Sequence, residues 1–183
     1  MFANGLNYDQ VLLTICKAAQ KREPKPLRFI NAWALARLYD KKVYKELLNS
    51  YDWLVSVYGR VTCLPDKAML AISPIKSLLE LFFRAFKEEL PVFFVTDDED
   101  LLLKVHHTFS TKLPNLRIAE IYCVSGHEST SQQEGVAKRI IISGGRLVWV
   151  SLKSLKEDVL ADHLKGRSNA IIIDMNGLLP GLI

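Results

Sequence analysis

The chain has 183 residues, 49% of them apolar, enough to bury one sizeable core as a single domain and too few for a second full domain. Its formal charge of +4, from 24 basic and 20 acidic residues, is a mild excess that admits an anionic partner without selecting one. Cys16, Cys63 and Cys123 are odd in number and far apart, which excludes a disulfide framework and a zinc site and leaves buried free thiols in a reducing compartment. The amino terminus lacks the order of a signal peptide, and no apolar run reaches the ~18 residues of a membrane span, so a soluble cytoplasmic protein without a transmembrane segment is expected.

In chain order, Val11, Leu12, Ile15, Cys16 and Ala19 share one helical face over about 8–20, with Asn7 as N-cap. Pro24 and Pro26 end that helix. A short strand is predicted at 27–30, and Asn31 stands where it meets the next helix, which carries Trp33, Leu35, Ala36, Leu38 and Tyr39. Residues 42–49 read as further helical turns and 53–57 as a strand ended by Gly59. Ser73-Pro74 gives an N-cap followed by proline at the first helical position. The helix it opens carries Ile75, Leu78, Leu79, Leu81, Phe82, Phe83 and Phe86, apolar over most of its circumference, and is expected to pack inside the domain; a homo-oligomer face or a membrane-resting face is the alternative.

The centre of the chain is 90–160. Apolar runs at 92–95, 117–122 and 147–151 alternate with helical segments after Asp100 and at about 131–142, and a sixth run follows at 170–173. Short β-branched runs alternating with helices give the βαβ pattern, so the predicted fold is α/β, Rossmann-like, with a mainly parallel sheet of about six strands flanked by helices. Sites in such folds gather at the carboxyl ends of strands, which singles out 96–100, the turns near Ser125 and Ser143, and 153–158.

Asp97-Asp98-Glu99-Asp100 has two readings. Carboxylates at a strand end can hold a divalent cation against a diphosphate, and Asp98 and Asp100 have the D-x-D spacing of metal-dependent sugar-nucleotide transferases. The same residues suit the first turn of a helix, through capping and the macrodipole, and this is the preferred reading. A receiver domain would need an aspartate at the end of a later strand, where Val150-Ser151-Leu152-Lys153 has none. His106 and His107 point about 100° apart on a helix, without a partner at i+4, and read as surface residues; His127 falls in a polar loop. Ser131 and Glu134 have the spacing of a capping box. Gly144-Gly145 precedes a strand, whereas phosphate-binding glycines follow one. The chain has no Walker, Gly-x-Ser-x-Gly or dinucleotide fingerprint.

The order of these segments resembles the WecG/TagA/CpsF family, bacterial glycosyltransferases that add N-acetylmannosamine-type sugars to lipid-linked precursors of cell-surface polysaccharides. The resemblance runs from about Gly5 to Ile173 and rests on Phe29-Ile30-Asn31, on 44–52, on Leu64-Pro65-Asp66-Lys67, on Val92-Phe93-Phe94-Val95, on 113–118, and on 147–152 leading to Lys156-Glu157-Asp158. It implies one glycosyltransferase-like domain over 1–183 without the family's carboxyl-terminal appendage, and a location in the cytoplasm or at the inner membrane face. It implies a nucleotide-sugar such as UDP-N-acetylmannosamine as donor, held by Asn31, Lys67, Thr96, Lys156 and Glu157, and a lipid-linked acceptor. No cofactor, metal or nucleic acid is expected.

Departures from the family pattern bear on activity. Phe29 replaces the threonine two residues before Asn31. The Pro-Asp-Gly segment, whose aspartate is the family's expected base, falls on Ser56-Val57-Tyr58-Gly59 without a carboxylate. Asp66-Lys67-Ala68 keeps a cation where the family has arginine but loses the bidentate fork. Thr96-Asp97 replaces Gly-Gly, and 153–158 replaces Gly-x-Pro-Lys-Gln-Glu. Asp97, Asp98 and Tyr58 are the substitute candidates for a base, Tyr58 a poor one because a phenol titrates near 10. Two functions follow as expectations: an active transferase, and an inactive relative that keeps the fold as a binding or regulatory module.

Overall fold

The computed structural model describes residues 8–23, 26–30, 53–56, 69–71, 74–124, 130–152 and 156–175. Within them the elements are α1 (Tyr8–Gln20), β1 (Pro26–Ile30), β2 (Trp53–Ser56), β3 (Met69–Ala71), α2 (Pro74–Lys87), β4 (Val92–Thr96), α3 (Glu99–Lys112), β5 (Ile118–Cys123), α4 (Thr130–Ser143), β6 (Leu147–Ser151), α5 (Lys156–Leu164) and β7 (Ile171–Asp174). The strands form one sheet in the order β3-β2-β1-β7-β6-β4-β5, with every pair parallel. The expected class, α/β with a parallel sheet flanked by helices, is the one observed.

The sheet has seven strands among the described residues, where about six were expected. The additional strand is β3, at one edge; Met-Leu-Ala is too short to show alternation or a β-branched run. Predicted bounds differ from observed ones by a residue or so at several strand ends. A larger correction falls on α4. It begins at Thr130, so Ser131 lies inside the first turn and cannot be the N-cap of a box with Glu134.

Continuous apolar runs reflect burial on both faces, as parallel strands require. β4, β6 and β7 are buried throughout. Alternate side chains enter two cores. On one face Val92, Phe94, Leu147, Trp149, Ile171 and Ile173 pack with α1, α2 and α3; on the other Phe93, Val95, Val148, Val150 and Ile172 pack with α4 and α5. The first core centres on an aromatic stack, Phe82 against Trp149 at 4.2 Å between centroids and Phe109 at 4.6 Å, with Phe94 beside them. Among the described residues the buried Trp149 indole N–H has no acceptor, a cost of about 1–3 kcal/mol that the stacking offsets in part.

Of α2, Leu81, Phe82 and Ala85 are buried, but Leu79 and Phe83 are 43% and 52% exposed. The helix packs into the domain, as expected, through Leu81, Phe82 and Ala85, and leaves Leu79 and Phe83 on its outer side. At the end of α4, Gly144 takes φ +75°, and a Cβ on Gly145 would stand 3.0 Å from Phe93 Cβ, so this pair serves the close approach of the helix end to β4. The glycine pair is thus a helix terminator.

α1 and α2 end in the same hydrogen-bonded turn with other residues in the left-handed position, Arg22 at φ +58° and Glu89 at +51°. In α2 the turn is closed by Leu90 N–H donating to the Ala85 carbonyl at 2.9 Å. Glu89→Gly is expected to raise stability by about 0.5–1 kcal/mol in urea unfolding, since only glycine takes that conformation without a Cβ penalty.

His163, on α5, has its Nε2 buried without a partner among the described residues. Burial first, and then the Arg167 charge, lower its pKa, with Glu134 and Asp162 opposing. The unfolded chain, with an ordinary histidine near 6.5, then binds more protons than the native one, so stability falls as pH drops below about 6.5. His163→Gln should flatten that acid-side slope between pH 7.5 and 5 in urea unfolding; an unchanged slope would place the titrating group elsewhere.

Candidate functional site

β4 and β6 are neighbours, paired from Val92–Leu147 to Thr96–Ser151. The chain leaves β4 through α3 on one face of the sheet and leaves β6 through α5 on the other. Where two adjacent strands send their connections to opposite faces, a crevice opens beyond their carboxyl ends, and ligands of open α/β sheets bind there. Its described floor is Thr96, Ser151 and Leu152, all buried, with Asp174 and Met175 from the adjacent β7 also buried. Two further bonds fix the floor: Val124 N–H donates to the Thr96 carbonyl at 2.8 Å, and Met175 N–H to the Val150 carbonyl at 2.9 Å.

The β4–α3 turn is closed by its own side chains. Asp98 N–H donates to Thr96 Oγ1 at 3.2 Å, and Asp98 Oδ1 accepts from the N–H groups of Asp100 at 3.1 Å and Leu101 at 3.2 Å. Asp98, with φ −122° and ψ 108°, is the N-cap of α3. The capping reading of the acidic cluster therefore holds. Three of the N–H groups with which a strand-to-helix turn can meet an anion are already spent on the protein. Asp97, Asp98 and Glu99 also act on Cys123 at the end of β5, whose thiol is pushed up first by burial and then by these three carboxylates. Cys16 is buried under α1 and pushed up to about 12, chiefly by burial, so it is an inert thiol at neutral pH.

Across the crevice, α5 starts at Lys156, so Lys156 and Glu157 occupy its first turn, where helix N–H groups carry partial positive charge. Thr96, Asp97, Asp98, Lys156 and Glu157 are thus brought by the backbone to the two banks of one crevice. Asn31, Tyr58, Lys67, Cys63 and His127 lie outside the described residues. His106 and His107 are exposed on α3. Among the described residues, no group of three or more His, Cys, Asp or Glu stands close enough to hold a metal ion, and no helix is long and apolar enough to cross a membrane.

Sequence reasoning passed over Asp174. It is fully buried at the carboxyl end of β7, with Val150 and Arg28 as its partners in register on the two neighbouring strands. The available signal was a lone acidic residue closing the run Ile171-Ile172-Ile173, since a carboxylate is rarely buried without a compensating partner.

An all-parallel sheet with helices on both faces and a reversal of direction between β6 and β4 defines an α/β protein of the Rossmann-like kind. The family model for the glycosyl transferase WecG/TagA/CpsF family matches residues 2–180, nearly the whole chain. The protein belongs to that family. No curated protein matched the chain.

Asp98→Ala removes the side-chain acceptor for two N–H groups and should cost about 1 kcal/mol in urea unfolding, whereas Asp98→Asn, which keeps an acceptor oxygen, should cost much less. Equal losses would mean that the carboxylate charge, and not the cap, is what the turn requires.

Proposed function

We propose that this protein is a glycosyltransferase that binds a UDP-sugar of the N-acetylmannosamine type in the crevice between β4 and β6 and passes the sugar to a lipid-linked polysaccharide precursor. The observation that carries the reading is the reversal of connection at β4 and β6, in a chain whose family is a glycosyltransferase family. With the N–H groups of Asp98, Asp100 and Leu101 engaged, the diphosphate is assigned to the α5 bank, against the helix amino terminus and Lys156, with Glu157 on the nucleoside side; Lys67 and Asn31 are assigned to the donor by the family resemblance alone. Thr96 holds the opposite bank in shape through its hydroxyl.

In transfer, an acceptor oxygen bonds to the anomeric carbon of the sugar, the bond from that carbon to the UDP oxygen breaks, and the acceptor proton passes to a base. Asp97, Asp98 and Tyr58 are the candidates for that base, and Asp97 is the first to test because Asp98 serves as the N-cap of α3. That same engagement of Asp98 favours a second reading, in which the donor binds without transfer and the fold serves as a binding or regulatory module.

Calorimetric titration with UDP and UDP-N-acetylmannosamine, with and without magnesium, followed by a transfer assay on a lipid-linked acceptor, separates these. The expected result is saturable binding independent of magnesium, with Asp97→Asn slowing transfer by roughly 10²–10⁴-fold at little cost to donor affinity. Binding without turnover selects the module, and absence of binding at millimolar ligand contradicts both.

A further inference from the structure

The opposite edge of the sheet carries a second cluster of charge. In the spatial order β6, β4, β5, the residues just before each strand are Arg146, Pro91 and Arg117. Arg146 N–H donates to the Pro91 carbonyl at 2.8 Å, and Val92 N–H donates to the Arg117 carbonyl at 2.8 Å. The two arginines thus flank one strand, with their backbones two strand spacings, about 9.5 Å, apart. A third arginine arrives from the end of α1. Arg22 and Arg146 line one shallow hollow with Gly144, Gly145, Ser168 and Asn169.

Helices that follow parallel strands end at this edge, and their carboxyl-terminal dipoles attract cations, which accounts for some positive charge here. It does not account for how little of that charge is spent. Among the described residues, the one hydrogen bond from the three guanidinium groups is Arg146 Nη1 to the Gln20 carbonyl, long at 3.5 Å. Among the described residues no carboxylate forms an ion pair with Arg22, Arg117 or Arg146. Arg146 feels the other two as like charges, which lower its pKa after burial has done so. Arg22, moreover, occupies the left-handed position of its turn, where glycine would be unstrained.

We propose that Arg22, Arg117 and Arg146 form an anion site that takes a phosphate group at the amino-terminal edge of the sheet, apart from the crevice. Guanidinium forks match phosphate oxygens in pairs, and a bound dianion removes the mutual repulsion of three cations held by the backbone. The phosphate can be that of a soluble molecule or of an anionic phospholipid headgroup, since both offer the same oxygens.

Thermal unfolding in inorganic phosphate, against sodium chloride at matched ionic strength and without UDP, tests the site, and because the arginine variants lie away from the crevice their effect is read separately from the donor-binding proposal. Wild type is expected to show a higher Tm in phosphate than in chloride. Arg22→Gly with Arg146→Gln should abolish that increment while leaving the Tm in chloride no lower. Arg22→Gly alone, which keeps the α1 turn, should weaken the phosphate response at least threefold and serves if the double variant does not fold. Equal increments in wild type and variants, or no increment over chloride in wild type, would overturn the site. Sedimentation with phosphatidylglycerol vesicles, against phosphatidylcholine vesicles, then assigns the source: arginine-dependent pelleting means a headgroup, and its absence alongside the phosphate increment means a soluble phosphate.

Discussion

Burial of β4, β6 and β7 on both faces is the constraint from which the rest of the structure follows. Parallel strands cannot be joined by a hairpin, so each connection is a crossover that must lie on one face or the other. With α1, α2 and α3 on one face and α4 and α5 on the other, neither surface of the central ladder meets water. The same division forces α3 and α5 apart where they leave adjacent strands, and the crevice is the gap that results. The aromatic stack of Phe82, Phe94, Phe109 and Trp149 holds α2 and α3 to β4 and β6, fixing one bank of the crevice from below.

Charge is divided along the strand axis. At the carboxyl ends, the amino terminus of α3 is answered within the chain by Asp98, with Glu99 and Asp100 in its first turn. An anion approaching the β4 bank meets a closed turn and negative charge. At the amino-terminal edge the helix carboxyl ends meet arginines from three segments. The turn between β4 and α3 is shaped by a threonine hydroxyl and an aspartate cap.

Much of the fold was legible because runs such as Val92–Val95 and Leu147–Val150 are too apolar and too short for anything but a doubly buried strand, and the spacing of Leu101, Val105 and Phe109 marks one helical stripe. β3 was not, since three residues carry no period, and its place is set by pairing with β2. That α2 packs inward was legible, but which of its apolar side chains stay outside was not, because composition reports how apolar a helix is and not how much of it a neighbour covers, and Phe83 stays half exposed. The acidic turn was legible as a cap from its position before Leu101. Asp174 was marked only by its place at the end of an apolar run, and the arginine cluster was not legible, because it depends on which strands become neighbours, and order in the sheet is fixed by long-range packing that no local pattern encodes.

The central claim is that the reversal at β4 and β6 makes the ligand crevice. Amide chemical-shift mapping of isotope-labelled protein titrated with UDP tests it most directly. The account predicts the largest shifts in the amides that follow β4 and β6, from Asp97 to Leu101 and from Leu152 to Glu157, with little change along α4. Shifts confined to other segments, leaving both strand ends unmoved, would contradict it.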